Sequence, residues 1–286
     1  MPAIINTNIA SLNAQRNAAA TQLSLSTSMQ RLSSGLRVNS AKDDAAGLAI
    51  AERMQSQVRG MNVAIRNAND GISLAQTAEG AMGKVSDSLQ RMRELAVQAR
   101  NATNTTEDKT SLDKEFGELS KEIQRVLGGT TFNGKAILAS TDAGTQTFQV
   151  GANTTSNDVV EVITTDMTTN ADITAVAGTD NQGTGRADLT GDATAIATVI
   201  DNIDKALNTV NGERATLGAS QNRFDAVISS LQVSVENQSA ARSRIMDADF
   251  ASETANLSRA QILQQAGTAM ISQANQMPQQ VLRLLQ

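Results

Sequence analysis

Few side chains in this sequence are equipped for chemistry. Two carboxylate pairs lie close in sequence, Asp43-Asp44 and Asp247 with Asp249. Paired carboxylates suit general acid–base catalysis, one giving a proton while the other takes one. No His, Cys, Tyr or Trp accompanies them. The commonest general base and the thiolate nucleophile are therefore absent. Both pairs read instead as helix-start charge and hinge ion pairs near Lys42, Arg242 and Arg244. The run Gly178-Thr179-Asp180-Asn181-Gln182-Gly183-Thr184-Gly185 has the glycine spacing of a phosphate-cradling loop. It lacks the following Lys, and no apolar strand leads directly into it, so it reads as a flexible loop. The sequence predicts no catalytic residue, no cofactor and no metal site.

Charge is unevenly distributed. Every acidic residue lies from Asp43 to Glu253, and residues 1–42 and 254–286 carry only Arg or Lys as charged groups. The middle holds 18 basic against 29 acidic residues, a net of −11 within a chain of net −5. No basic stripe with interleaved aromatics is present, which argues against nucleic acid as a partner. No run approaches the roughly 20 apolar residues that span a bilayer. No apolar run follows an N-terminal basic cluster, so no cleaved secretory signal is expected.

Helical periodicity dominates what must position these groups. The only prolines are Pro2 and Pro278. Met54, Val58, Met61, Ile65, Ala68, Ile72 and Ala75 alternate steps of four and three, and Ala78, Met82, Val85, Leu89, Met92, Ala96 and Ala99 resume them after one slip. This predicts a coiled-coil helix over about 44–100. Thr105, Thr106, Glu107 and Asp108 predict a second helix start, with a stripe from Leu112 to Val126 and a left-handed end at Gly128-Gly129. Thr147 to Val150 and Asp158 to Ile163 alternate as short strands, and residues 178–191 read as a loop. Asp192 or Thr194 then caps a helix whose four–three stripe runs unbroken from Ile196 to Ile245, with Arg214, Gln221, Gln238 and Arg242 as polar interruptions that set register. Gly60, Gly71, Gly80 and Gly83 each weaken the first long helix by about 1 kcal/mol, which reads as provision for close approach. Met54, Met61, Met82, Met92, Met270 and Met277 read as adaptable core filler.

Both ends carry thinner versions of the same pattern. Ile5, Ile9 and Leu12 start one stripe, and Leu25, Met29, Leu32 and Leu36 continue it. Leu263, Ala266, Met270, Ala274, Met277, Val281 and Leu284 form the other. The apolar bulk is too small to hold a monomeric fold, so these segments are expected to gain order on assembly. The fold class is mainly α: a long antiparallel helical hairpin with a small β-hairpin region and paired terminal helices. The candidate assembly surface comprises Ile5, Ile9, Leu12, Leu32, Leu36, Leu263, Met270, Met277, Val281 and Leu284, and the partner is a second copy of the chain.

Residues 30–50, QRLSSGLRVNSAKDDAAGLAI, strongly resemble the N-terminal signature of bacterial flagellin. QRMRELA at 90–96 and Phe132-Asn133-Gly134 match further flagellin motifs, and SRAQILQQA at 258–266 with QANQMPQ at 273–279 match the C-terminal signature. The resemblance covers about 1–140 and 195–286. It implies a subunit of the flagellar filament rather than an enzyme, with a hook–filament junction protein as the alternative. It further implies that 1–42 with 247–286 forms an inner-tube pair, that 43–170 with 192–246 forms the outer tube, and that 171–191 is a short exposed variable loop where larger members insert outer domains. Implied partners are an export chaperone, a filament cap protein, hook–filament junction proteins and the flagellin-sensing Toll-like receptor. Type III export would deliver the chain to an extracellular filament. Arg91, Leu95 and Glu115 match positions tied to receptor recognition, and Glu94 falls in the matching segment; from the residues alone, Glu94 and Leu95 read as ordinary helix surface in a filament contact.

Overall fold

In the computed structural model the described residues are 7–139 and 142–283, with side chains described as far as Met277. The described residues form six α-helices, one short 3-10 turn (Ser156–Asp158) and two small antiparallel hairpins, so the mainly-α expectation holds. Helix α1 spans Ile9–Ser34; the side chain of its N-cap Asn8 accepts from the Ser11 N–H, and Gly35 ends it in the left-handed region at φ 71°. Helix α2 runs Ala45–Ala99 and α3 runs Thr106–Gly129. Thr105 and Asp108 form a reciprocal capping box at the start of α3. The expected left-handed end at Gly128-Gly129 is not formed. Both glycines stay helical, and the Thr130 N–H completes the last turn onto Val126 with φ −76°.

Strands β1 (Thr131–Phe132) and β2 (Lys135–Ala136) pair across Asn133 and Gly134, whose positive φ angles of 49° and 80° suit a two-residue turn. Strands β3 (Gly144–Gln149) and β4 (Val159–Thr164) pair antiparallel, with Phe148 opposite Val160. The seven residues of α4 (Ala171–Ala177) were expected as loop. Ile173, Val176 and Ala177 are fully buried there, as is Leu189 beyond them. Helix α5 covers Ala193–Met246, and the Asp192 carboxylate accepts from the Ala195 N–H at its start. Helix α6 covers Phe250–Arg283.

Two compact units emerge. One comprises Arg59–Val235, and the other is drawn from residues up to Val58 and from Glu236 onward. The larger unit has a continuous core that includes Leu89, Met92, Leu95, Phe116, Ile123, Ile203 and Phe224. Phe224 meets Phe148 edge-on, with centroids 5.6 Å apart. Polar interruptions of the α5 stripe pair across the seam. Gln221 donates to Glu79 at 2.9 Å, Arg214 approaches the same carboxylate at 3.8 Å, and Gln238 donates to Gln57 at 2.9 Å. A one-residue slip would break these pairs, so the polar positions specify register.

Segment 178–191 is tied down rather than loose. The Asp113 carboxylate accepts from both Arg186 terminal nitrogens, at 2.9 and 2.6 Å, and from the Leu189 N–H at 3.0 Å. The Asp180 carboxylate folds back onto the Gln182 and Thr184 N–H groups within the glycine loop. The loop's own acid thus uses the donors that a phosphate would need.

Candidate assembly surface

Helices α1 and α6 lie antiparallel in the smaller unit. Asn8 donates to the Ala274 carbonyl at 2.7 Å, Ser11 to Asn275 at 2.7 Å, and Gln264 to Gln22 at 2.6 Å. The seam between them consists largely of small and polar residues. On α1 it runs Ser11, Ala14, Ala18, Thr21, Leu25, Ser28 and Leu32; on α6 it runs Glu253, Leu257, Ala260, Gln264, Gly267, Ile271 and Ala274. Both sets step alternately by three and four, which keeps them on one side of each helix. Small residues let the two backbones approach closely, and a Cβ placed on Gly267 would rest 3.6 Å from that of Ala18.

Expected assembly residues largely fall outside this seam. Ile9, Leu12, Leu263, Met270 and Met277 are 65%, 56%, 50%, 62% and 54% exposed. Leu23, Met29, Phe250 and Ile262 join them, although the sequence reading did not single them out as assembly residues. At 100° per residue, Ile9, Leu12 and Leu23 point almost opposite to the α1 seam. Two assignments change. Leu32 belongs to the intrachain seam, and Leu36 packs against Val38, Ala51 and Met246. Ile5 and Leu284 lie outside the described residues, and Val281 lies in α6 beyond the last described side chain.

The terminal segments are paired helices in this structure, as the fold class expects. Each covers the other's seam and supplies its polar partners. The seam also contains the mostly buried Glu253, whose carboxylate lies 3.9 Å from Arg31. Met270 and Met277 are therefore not core filler, whereas Met61, Met82 and Met92 are buried as expected.

The signature residues 35–44 explain themselves locally. The Arg37 guanidinium donates to the Ile245 carbonyl at 2.8 Å, and its N–H reaches the Met246 carbonyl at 2.6 Å. Gly35 accepts from the Ala248 N–H at 2.9 Å, and Val38 fills a small core with Ala51 and Met246. Asp43 accepts from the Ser40 hydroxyl and from the Ser40 and Asn39 N–H groups. The Ser40 bonds lead in holding its carboxyl below the usual aspartate range. Asp44 accepts from Gly47 N–H and Asp249 from Ala251 N–H, so each caps a helix. Asp247 accepts from the Ser243 hydroxyl. Among the described residues, the expected ion pairs to Lys42, Arg242 and Arg244 are absent. The carboxylates use nearby N–H and O–H donors instead.

On the larger unit, Arg91 donates to Glu115 at 2.9 and 2.8 Å and to Glu94 at 2.8 Å. Those bonds, Glu94 foremost, raise the affinity of Arg91 for its proton. Arg91, Glu94 and Glu115 are half exposed or more, whereas Leu95 is 1% exposed. Leu95 is therefore core, not helix surface. Helix α2 is flanked here by α3, through Glu115, and by α5, through the Asp204 pair with Arg93 at 2.7 Å. That double flank buries a wider arc than one stripe. No cluster of three or more potential metal ligands occurs among the described residues, and no described helix is long and apolar enough to cross a membrane.

Comparison with known proteins agrees with this architecture. The model of the bacterial flagellin N-terminal helical region matches residues 5–143, and that of the bacterial flagellin C-terminal helical region matches 200–285. A flagellin of Halalkalibacterium halodurans is 46% identical over 282 residues, with 99% of each chain covered. A flagellin of Bacillus subtilis is 42% identical, covering 98% of this chain and 99% of its own. A putative flagellar hook-associated protein from Vibrio parahaemolyticus shares the fold, with a TM-score of 0.59 over 72% of this chain and all of that one, at 12% identity.

Proposed function

The chain belongs to the bacterial flagellin family, and from that premise we propose that it polymerises through the outward apolar residues of the α1/α6 pair. It is a structural subunit of the flagellar filament. One observation carries the proposal: the intrachain seam is built largely from small and polar residues, with Leu25, Leu32, Leu257 and Ile271 as its larger members, while Ile9, Leu12, Leu263, Met270 and Met277 remain about half exposed or more. Fully burying such a side chain stabilises by about 1.5–3 kcal/mol, so covering the exposed half contributes on the order of 1 kcal/mol each. Repeated along a polymer, these contributions offset the cost of immobilising a subunit. The contact is heterologous and does not close, which generates a helical tube rather than a ring.

In this reading the terminal pair forms the inner tube, and residues 43–170 with 192–246 form the wall. Residues 171–191 add no separate outer domain, a reading supported by their burial against α3. Family membership supports the remaining partners: type III export of the chain, a chaperone on its C-terminal helix, a cap protein over the growing end and junction proteins at the hook. The Arg91, Glu94 and Glu115 cluster is the face offered to the flagellin-sensing Toll-like receptor, with Leu95 holding it from beneath.

Purified chain should grow long filaments without any other component. Leu12→Gln combined with Met270→Gln should retain its circular dichroism spectrum and remain monomeric under the same conditions. Filaments from the double variant at the wild-type concentration would overturn the proposal.

A further inference from the structure

Nine of the ten methionines have described side chains, and these differ sharply in exposure. Met61, Met82, Met92, Met167 and Met246 are buried at 6% exposure or less, and Met54 is half-buried. Met29, Met270 and Met277 are 56%, 62% and 54% exposed. All three belong to the apolar surface that the α1/α6 seam leaves uncovered, and this part of the argument rests on the assembly reading. A thioether at such a position is open to peroxide, and nothing in the fold must move for it to react.

We infer that Met29, Met270 and Met277 are separate oxidation-sensitive positions along the α1/α6 pair through which peroxide controls whether the chain polymerises. In the reaction the thioether sulfur attacks hydrogen peroxide. The O–O bond breaks, an S–O bond forms, and water leaves. Sulfur gives up two electrons and the peroxide oxygens take them. The product is a polar, chiral sulfoxide on a side chain that would otherwise be covered by a neighbouring subunit. A strong acceptor placed in a dry contact without a donor opposes its formation. The core methionines are shielded, so the chain stays folded while its assembly surface changes. Once polymerised, the same residues are covered, so filaments resist the oxidant that disables free chains.

The experiment treats purified monomer with dilute hydrogen peroxide and removes the oxidant. Sulfoxide is mapped by peptide mass spectrometry, and the critical concentration for polymerisation is then measured. Expected results are sulfoxide at 29, 270 and 277 with the five core methionines intact, unchanged circular dichroism, and a critical concentration raised about tenfold, equivalent to ~1.4 kcal/mol. The triple variant Met29→Leu, Met270→Leu, Met277→Leu should polymerise and lose this sensitivity. Independently of that variant, reducing treated wild-type chain with both epimer-specific methionine sulfoxide reductases should restore polymerisation. An unchanged critical concentration with the three residues oxidised would overturn the inference. So would a failure of reduction to restore assembly, or equal inhibition of the Leu variant. Untreated wild-type chain that forms no filament would overturn the assembly reading itself.

Discussion

Gly71 and Gly80 should respond in opposite directions to the same substitution. A Cβ built on Gly71 would stand 2.6 Å from Cζ of Phe224, 2.8 Å from Cε2 and 3.0 Å from Cε1. Carbon atoms pack at about 3.5–4.0 Å, so the ring must retreat by roughly 1 Å. It has little room, because Phe224 is fully buried and set edge-on against Phe148. Overpacking of this kind costs about 1–3 kcal/mol, and disturbing the aromatic pair costs about 0.5–1.5 kcal/mol more. The helix preference of Ala over Gly returns only about 1 kcal/mol. Gly71→Ala should therefore destabilise the chain by about 1–3 kcal/mol. At Gly80 nothing lies within 4 Å of the added carbon. Gly80→Ala should stabilise by about 1 kcal/mol, and Gly83→Ala should behave likewise. Thermal unfolding of the monomer is the assay, with roughly 2–4 °C expected per kcal/mol in a folded unit of this size. Equal melting temperatures for Gly71→Ala and Gly80→Ala would refute the argument that one glycine serves close approach and the other does not.

Asp113→Asn should cost about 1–3 kcal/mol at neutral pH, since it removes the charged acceptor of the Arg186 pair. Burial alone would raise the Asp113 carboxyl, but Arg186 and the Leu189 N–H outweigh it and hold it below the ordinary 3.8. A depressed folded pKa gives stability that is full above 3.8 and lost as pH falls through the lower folded value. Chemical denaturation below pH 4 should show that loss in wild type and a flatter profile in Asp113→Asn. Deleting residues 1–42 or 254–286 should leave a soluble helical remainder that forms no filaments by electron microscopy. Arg91→Ala should shift the melting temperature only slightly, because the guanidinium and its partners are exposed and solvent screens such pairs. Reporter-cell signalling by the same variant should fall if this cluster is what the receptor reads.

The long helices were legible because a four–three apolar rhythm and the absence of internal proline leave little alternative for Met54 to Ala99 or for Ile196 to Ile245. The hairpin at Asn133-Gly134, read from the sequence only as a family motif, carries the strongest short-range turn signal. Helix α4 was not legible, since seven residues hold too few periods to distinguish Ile173 and Val176 from loop residues. The terminal seam was missed for a different reason. Ser, Ala and Thr at steps of three and four carry no hydropathy contrast, whereas the large residues on the outward faces do. Leu32 belongs to the seam, whereas Leu12 and Met270 do not. Leu95 shows the converse: one stripe predicts a narrow buried arc, and two flanking helices widen it.

The central claim is that the exposed large apolar residues of the terminal pair serve contacts between chains while a largely small and polar seam holds the pair together. A cryo-EM map of filaments reassembled from the purified chain tests it most directly. The account predicts Ile9, Leu12, Leu263 and Met270 buried against neighbouring subunits, with Ser11, Ala18, Ala260 and Gly267 still facing each other within one chain. A filament in which those four large side chains face solvent would contradict it.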